Sequence, residues 1–104
     1  MTQSPNYDLV CYLSQQCAEK YLKARLVEAG LPFRKTHDLE ELLQGILPLE
    51  PTWSVLLADA QFLTSFAVDV RYPGMDATQA DAQDAFACGQ RIRLVIRLAF
   101  GLPV

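Results

Sequence analysis

The chain reads as an all-α protein, a single antiparallel up-and-down helical bundle. Three observations predict it. Apolar residues recur at three- and four-residue spacing over most of the chain, and no stretch alternates as a half-buried strand would. The breaks between periodic stretches are short and marked by Pro and Gly. With 104 residues, the chain forms one domain over 1–104, with material for one hydrophobic core and not two.

The elements follow in order. Ser4 as N-cap with Pro5 at the first helical position predicts a first helix running to about Ala29, closed by Gly30 and by Leu31-Pro32. Thr36 or Asp38 caps a shorter second helix carrying Leu39, Leu42, Leu43, Ile46 and Leu47, and Pro48 stops it. Pro51-Thr52 opens a third, with Trp53, Leu56, Leu57, Ala60, Leu63 and Ala67 at helical spacing. Arg71-Tyr72-Pro73-Gly74 is a turn by composition. The last helix spans about Thr78 to Phe100, with Ala85, Gly89, Ile92, Ile96 and Ala99 on one side. Asp76, Asp81 and Asp84 precede Arg91, Arg93 and Arg97, an order that complements the helix dipole; dipole and solubility account for all six.

The first helix carries two apolar stripes. Leu9, Val10, Leu13, Cys17, Tyr21, Ala24 and Val27 form one; Cys11, Ala18, Leu22, Leu26 and Ala29 form the other, roughly opposite. One stripe faces the core. The second needs another helix of the same chain or a second subunit, so a homodimer and a centrally placed helix are the two expectations.

Composition narrows the function classes. A net charge of −3 disfavours unselective binding to long nucleic acid, so phosphate recognition requires a local basic cluster. Apolar runs are only a few residues long and the opening residues lack the pattern of a secretory signal, which predicts a cytoplasmic protein with no membrane span. Cys11, Cys17 and Cys88 show no CxxC spacing and read as buried, reduced thiols. With one His and no paired Cys, zinc lacks ligands, and neither metal nor cofactor is expected beyond a nucleotide ligand.

The polar residues inside these helices are the candidates for chemistry. Tyr12, Gln16, Glu19 and Lys23 align along one strip, where Glu19 and Lys23 stand four residues apart and can pair. A solvated face with one ion pair is the simpler account of that strip. Lys20 lies at the edge of an apolar stripe, where a charge is costly unless paired or reaching out to water. His37, the sole imidazole, falls between Thr36 and Asp38 in the first turn of the second helix, where free backbone N–H groups favour phosphate; Arg34 and Lys35 add charge to that corner. Arg71 and Tyr72 suit bidentate phosphate or carboxylate recognition and base stacking.

Taken together, Gln15-Gln16-x-x-Glu19-Lys20-x-x-Lys23, Lys35-Thr36-His37-Asp38-Leu39 and Arg71-Tyr72-Pro73 resemble the HEPN family, over about residues 6–100. The resemblance implies an all-α antiparallel bundle of four to five helices, commonly a homodimer. Many small prokaryotic members are encoded beside a minimal nucleotidyltransferase, and some such pairs are toxin–antitoxin systems. A separate branch comprises metal-independent RNases marked by Arg followed, after four to six residues, by His. This chain departs from that pattern: counting from Arg71, those positions hold Asp76, Ala77 and Thr78. The leading expectation is therefore a non-catalytic module that binds a nucleotide or an RNA-end phosphate and partners a nucleotidyltransferase. Its binding residues would be Gln16, Glu19, Lys20, Lys23, Lys35, His37, Asp38, Arg71 and Tyr72. The alternatives are an RNase toxin using His37 and Arg71, and a purely structural assembly module.

Overall fold

Asn6 starts the first helix: its Oδ1 accepts from the Leu9 N–H at 2.9 Å. The computed structural model describes residues 6–67 and 77–103. Ser4 and Pro5, expected to open the helix, lie outside them, as does the Arg71-Tyr72-Pro73-Gly74 turn. Helix α1 covers Tyr7–Glu28. It ends as expected, with Gly30 at φ 71° and the Leu31 N–H donating back to the Leu26 carbonyl at 2.9 Å.

The remaining elements are α2 (Leu39–Ile46), α3 (Leu57–Thr64) and α4 (Gln79–Ala99), all the described regular structure besides a 3₁₀ turn. That turn, Pro51–Leu56, stands where the third helix was expected to begin. It still buries Trp53 and Leu56, as helical spacing predicted. Helix α4 begins with a capping box: the Thr78 side chain accepts from the Asp81 N–H, and the Asp81 carboxylate accepts from the Thr78 N–H, each at 3.0 Å.

Contacts along α1 give each helix a direction. Beside α2, the chain meets α1 at Gln15 and Glu19 near residue 37 and again at Arg25 near Glu50, so α2 runs parallel to α1. Helix α3 then descends, bringing Thr64 back to Leu39. Helix α4 rises beside α1: Ala77 meets Asp8 at the start, and Arg97 meets Tyr21 near the end. The all-α bundle is as predicted, and α2–α3 and α3–α4 are antiparallel. The α1–α2 step departs from strict up-and-down order because residues 29–38 return along α1 as far as Gln15 and Glu19 before α2 begins.

The core is built from the second α1 stripe, with Cys11, Ala18, Leu22 and Leu26 packed on Leu39, Leu42, Leu43, Ile46, Leu63, Ile92 and Ile96. Ala99, placed by spacing on the buried side of α4, is exposed as the last residue of the helix. The other α1 stripe faces outward: Leu9, Val10, Leu13, Cys17, Ala24 and Val27 are exposed, and Tyr21 half-buried. Cys17 is thus not the buried thiol expected, whereas Cys11 and Cys88 are buried. Helices α1 and α4 approach closely where Gly89 faces Ser14; a Cβ there would stand 3.3 Å from the Ser14 carbonyl oxygen. A groove of about 270 Å³ opens along this seam, lined chiefly by Val10, Leu13, Cys17 and Phe86. No described helix is long and apolar enough to cross a membrane.

Burial predicts the stability response. Leu22, fully buried, should cost ~2–5 kcal/mol on Leu22→Ala. Val55, 77% exposed, should change stability by less than ~0.5 kcal/mol on Val55→Ala. Urea unfolding monitored by circular dichroism measures both.

Candidate functional site

Glu19 is the hub of the polar residues on α1. Its position in the helix turns it toward the chain entering α2, and its side chain is 4% exposed. Oε1 accepts from Gln15 Nε2 at 3.1 Å and contacts His37 Nδ1 at 2.8 Å; Oε2 accepts from Lys23 Nζ at 2.8 Å. Gln15, fully buried, also donates to the His37 carbonyl oxygen at 3.1 Å and accepts from Gln16 Nε2 at 2.7 Å. His37 is therefore held twice by α1, once through its main chain and once through its ring. The simpler account of the α1 strip, a solvated face, does not describe Glu19. A desolvated carboxylate needs partners, and three polar groups, from Gln15, Lys23 and His37, converge to supply them.

Burial alone would raise the Glu19 pKa. The hydrogen bonds from Lys23, His37 and Gln15, with the Lys23 charge, outweigh it and hold the carboxyl below its ordinary value. An ionised Glu19 accepts only, so the short contact to Nδ1 carries its proton on His37. Nε2 of the half-exposed ring makes no hydrogen bond to a described residue.

The start of α2 serves the fold. The Asp38 N–H donates to Thr36 Oγ1, that of Leu39 to Thr64 Oγ1, and those of Glu40 and Glu41 to Asp38 Oδ1. All four unpaired N–H groups of a helix start are thereby occupied. This corrects the expected phosphate cradle there: Asp38 caps the helix and places a negative charge where an anion would sit. His37 itself precedes the cap and is not in the first turn. Arg34 is bound bidentately by Glu41, with Nε 2.8 Å from Oε2, and so does not add free charge to this corner. Lys35 and Lys20 are exposed.

The structure thus brings Gln16, Glu19, Lys23, His37 and Asp38 into one region, through Gln15. Arg71 and Tyr72 lie outside the described residues. Gln15 is the member that sequence reasoning left out of the binding set. It stood in the Gln15-Gln16 motif, and its place four residues before Glu19 on the buried side was the available signal.

A second polar cluster ties α3 to α4. Arg91 binds Asp59 bidentately, with Nε and one terminal nitrogen at 2.9 and 2.8 Å, and also donates to Cys88 Sγ at 3.4 Å. Dipole and solubility are therefore not the whole account of the α4 charges. Asp81 caps its own helix, and Arg97 reaches Tyr21 Oη and the Pro103 carbonyl oxygen. Burial and the neighbouring Asp59 push the Cys88 thiol up to about 11, so it is not a thiolate nucleophile. Among the described residues no group of three or more His, Cys, Asp or Glu is placed to hold a metal.

An all-α bundle whose first helix carries a buried Gln–Glu pair and a partly exposed lysine, clasping a Thr-His-Asp corner, defines the class of protein. The sequence profile of the HEPN domain matches residues 1–98, and the chain belongs to that family. Comparisons with curated proteins and with solved structures returned no significant match.

Two measurements check the site. Replacing Asp38 by Ala leaves two N–H groups of α2 without their cap and should cost about 0.5–2 kcal/mol in chemical unfolding. Glu19→Gln should cost ~1–3 kcal/mol at neutral pH. Because the folded Glu19 titrates below its unfolded value, near 4.3 for a free glutamate, its contribution is complete above that value. It is lost as pH falls through the lower folded value. The gap between wild type and Glu19→Gln should therefore be widest at neutral pH and close in acid; a gap that widens on acidification contradicts this account.

Proposed function

We propose that this HEPN domain binds a nucleotide or the phosphate of an RNA end and acts as the partner subunit of a nucleotidyltransferase, in a toxin–antitoxin pair. The observation that carries the reading is the Glu19 cluster, in which a buried carboxylate gathers a lysine and a histidine whose outer faces remain accessible. A purely structural clasp would be served by the Gln15–His37 bond and the Asp38 cap alone; it gives no reason for a half-exposed imidazole whose Nε2 bonds no described residue. The Arg71-Tyr72-Pro73 block of the family resemblance adds Arg71 and Tyr72 to the proposed set. Lys23, Lys20, Lys35 and Arg71 would supply charge, and His37, Gln16 and Tyr72 hydrogen bonds or stacking. Each good charge-assisted contact contributes roughly 1.5–3 kcal/mol.

Two features of the molecule extend the proposal. The outward stripe of α1 and the exposed Phe86 of α4 offer an apolar face suited to a second copy of the chain, so the assembly is a homodimer. A cytoplasmic location goes with that proposed role. One observation also favours a second reading, a metal-independent RNase. The carboxylate-held imidazole of His37 is the arrangement of a general base, with Arg71 as its cationic partner. Degradation of total RNA in the presence of a chelator, lost in His37→Ala, would select that reading over a binding-only module.

Calorimetric titration with ATP, GTP and AMP tests the proposal. Wild type should bind at least one of them, and Lys23→Ala and Arg71→Ala should each weaken it by about tenfold or more, as loss of a charge-assisted bond requires. No heat at millimolar ligand for wild type refutes nucleotide binding. For the dimer, sedimentation equilibrium should give twice the chain mass for wild type, and the single-chain mass for Leu13→Asp; a wild-type monomer at micromolar concentration refutes it.

A further inference from the structure

We infer that His37 presents a hydrogen-bond acceptor to the ligand and so selects a ribose hydroxyl lying beside a phosphate. The inference deepens the proposed nucleotide site and rests on that reading. A neutral imidazole has one N–H. Glu19 Oε1, ionised and 2.8 Å away, claims it for Nδ1, and Nε2 is left as a bare lone pair. The ring has little freedom to exchange its two nitrogens. Gln15 donates to the His37 carbonyl oxygen and to the same Oε1, fixing the main chain and the carboxylate against each other. Gln15 is itself fully buried, so the geometry is set by the core and not by solvent.

The lone pair decides what the position recognises. A bare phosphate oxygen repels it and is bound there only by an imidazolium. A hydroxyl donates to it. Lys23 stands on the other carboxylate oxygen, a quarter exposed, with N–H groups beyond the one given to Glu19. Its ammonium and Nε2 of His37 are at most about 10 Å apart, the width of one carboxylate, two hydrogen bonds and one imidazole ring. Acceptor and cation therefore lie within the span of one nucleotide, which carries a sugar hydroxyl and a phosphate. The ligand class is a ribonucleotide or an RNA 3′ end, and a deoxy sugar loses the hydroxyl contact. A site built to pair a hydroxyl discriminates against the analogue lacking it, because its own polar group is then left unpaired.

Two readouts test this at about pH 8, above the ordinary histidine range. Nitrogen-15 NMR of the sole histidine should show the Nδ1–H tautomer in wild type and loss of that preference in Glu19→Ala. In calorimetry AMP should bind about tenfold or more tightly than 2′-deoxy-AMP or 3′-deoxy-AMP, and His37→Ala should abolish the difference. A short RNA against DNA of the same sequence distinguishes a strand end from a free nucleotide as the source of the hydroxyl. An Nε2–H tautomer in wild type, or equal affinity for ribo and both deoxy ligands, overturns the inference and leaves nucleotide binding standing. Absence of binding by every nucleotide and by RNA overturns both.

Discussion

The buried carboxylate of Glu19 is the constraint around which this molecule is arranged. An ionised group removed from water costs several kcal/mol unless its lone pairs are taken up, so the surrounding chain has to bring donors to it. Gln15 and Lys23 come from the same helix, one turn on either side. The third donor, His37, comes from the far end of a ten-residue return path. That requirement ties His37 to α1, and with it the point at which α2 begins. From there the Asp38 cap and the Leu39–Thr64 bond pass the registration on to α3.

The same arrangement explains why the polar site and the hydrophobic core do not conflict. On α1 the core residues Cys11, Ala18, Leu22 and Leu26 occupy one side, and Gln15 and Glu19 sit at its flank, under the return path. The path shields the carboxylate from water while leaving the His37 ring half exposed at the surface. Opposite, α4 packs on α1 through the Gly89–Ser14 contact, and the stripe of Leu9, Val10, Leu13 and Val27 is left uncovered within the chain. One helix thus serves a core, a polar site and an apolar outer face, which is why its sequence shows little net amphipathicity.

The charges sort by what they are tied to. Arg91 with Asp59, Arg34 with Glu41, and Arg25 with Glu28 and Glu50 are committed to contacts that join or extend helices. Lys20 and Lys35 are exposed, and Lys23 retains accessible N–H groups. In a chain of net charge −3, a phosphate would be met by such a local remainder and not by a general field.

The sequence by itself determined that helices form, where most of them stop, and that α1 carries two apolar stripes, because these depend on spacing and on local backbone chemistry. Gly30 at the end of α1, Asp38 before α2 and Thr78 before α4 act within a few residues of where they stand. The family was legible too, from three polar blocks in order. Only the tertiary structure decided that Glu19 is buried and that Gln15 is its partner, since 22 residues separate Gln15 from the carbonyl it holds. It also decided that α2 runs parallel to α1, and that the start of α2 is closed to anions. Helical periodicity says which side of a helix is polar; whether that side meets water or another segment depends on where a distant part of the chain returns.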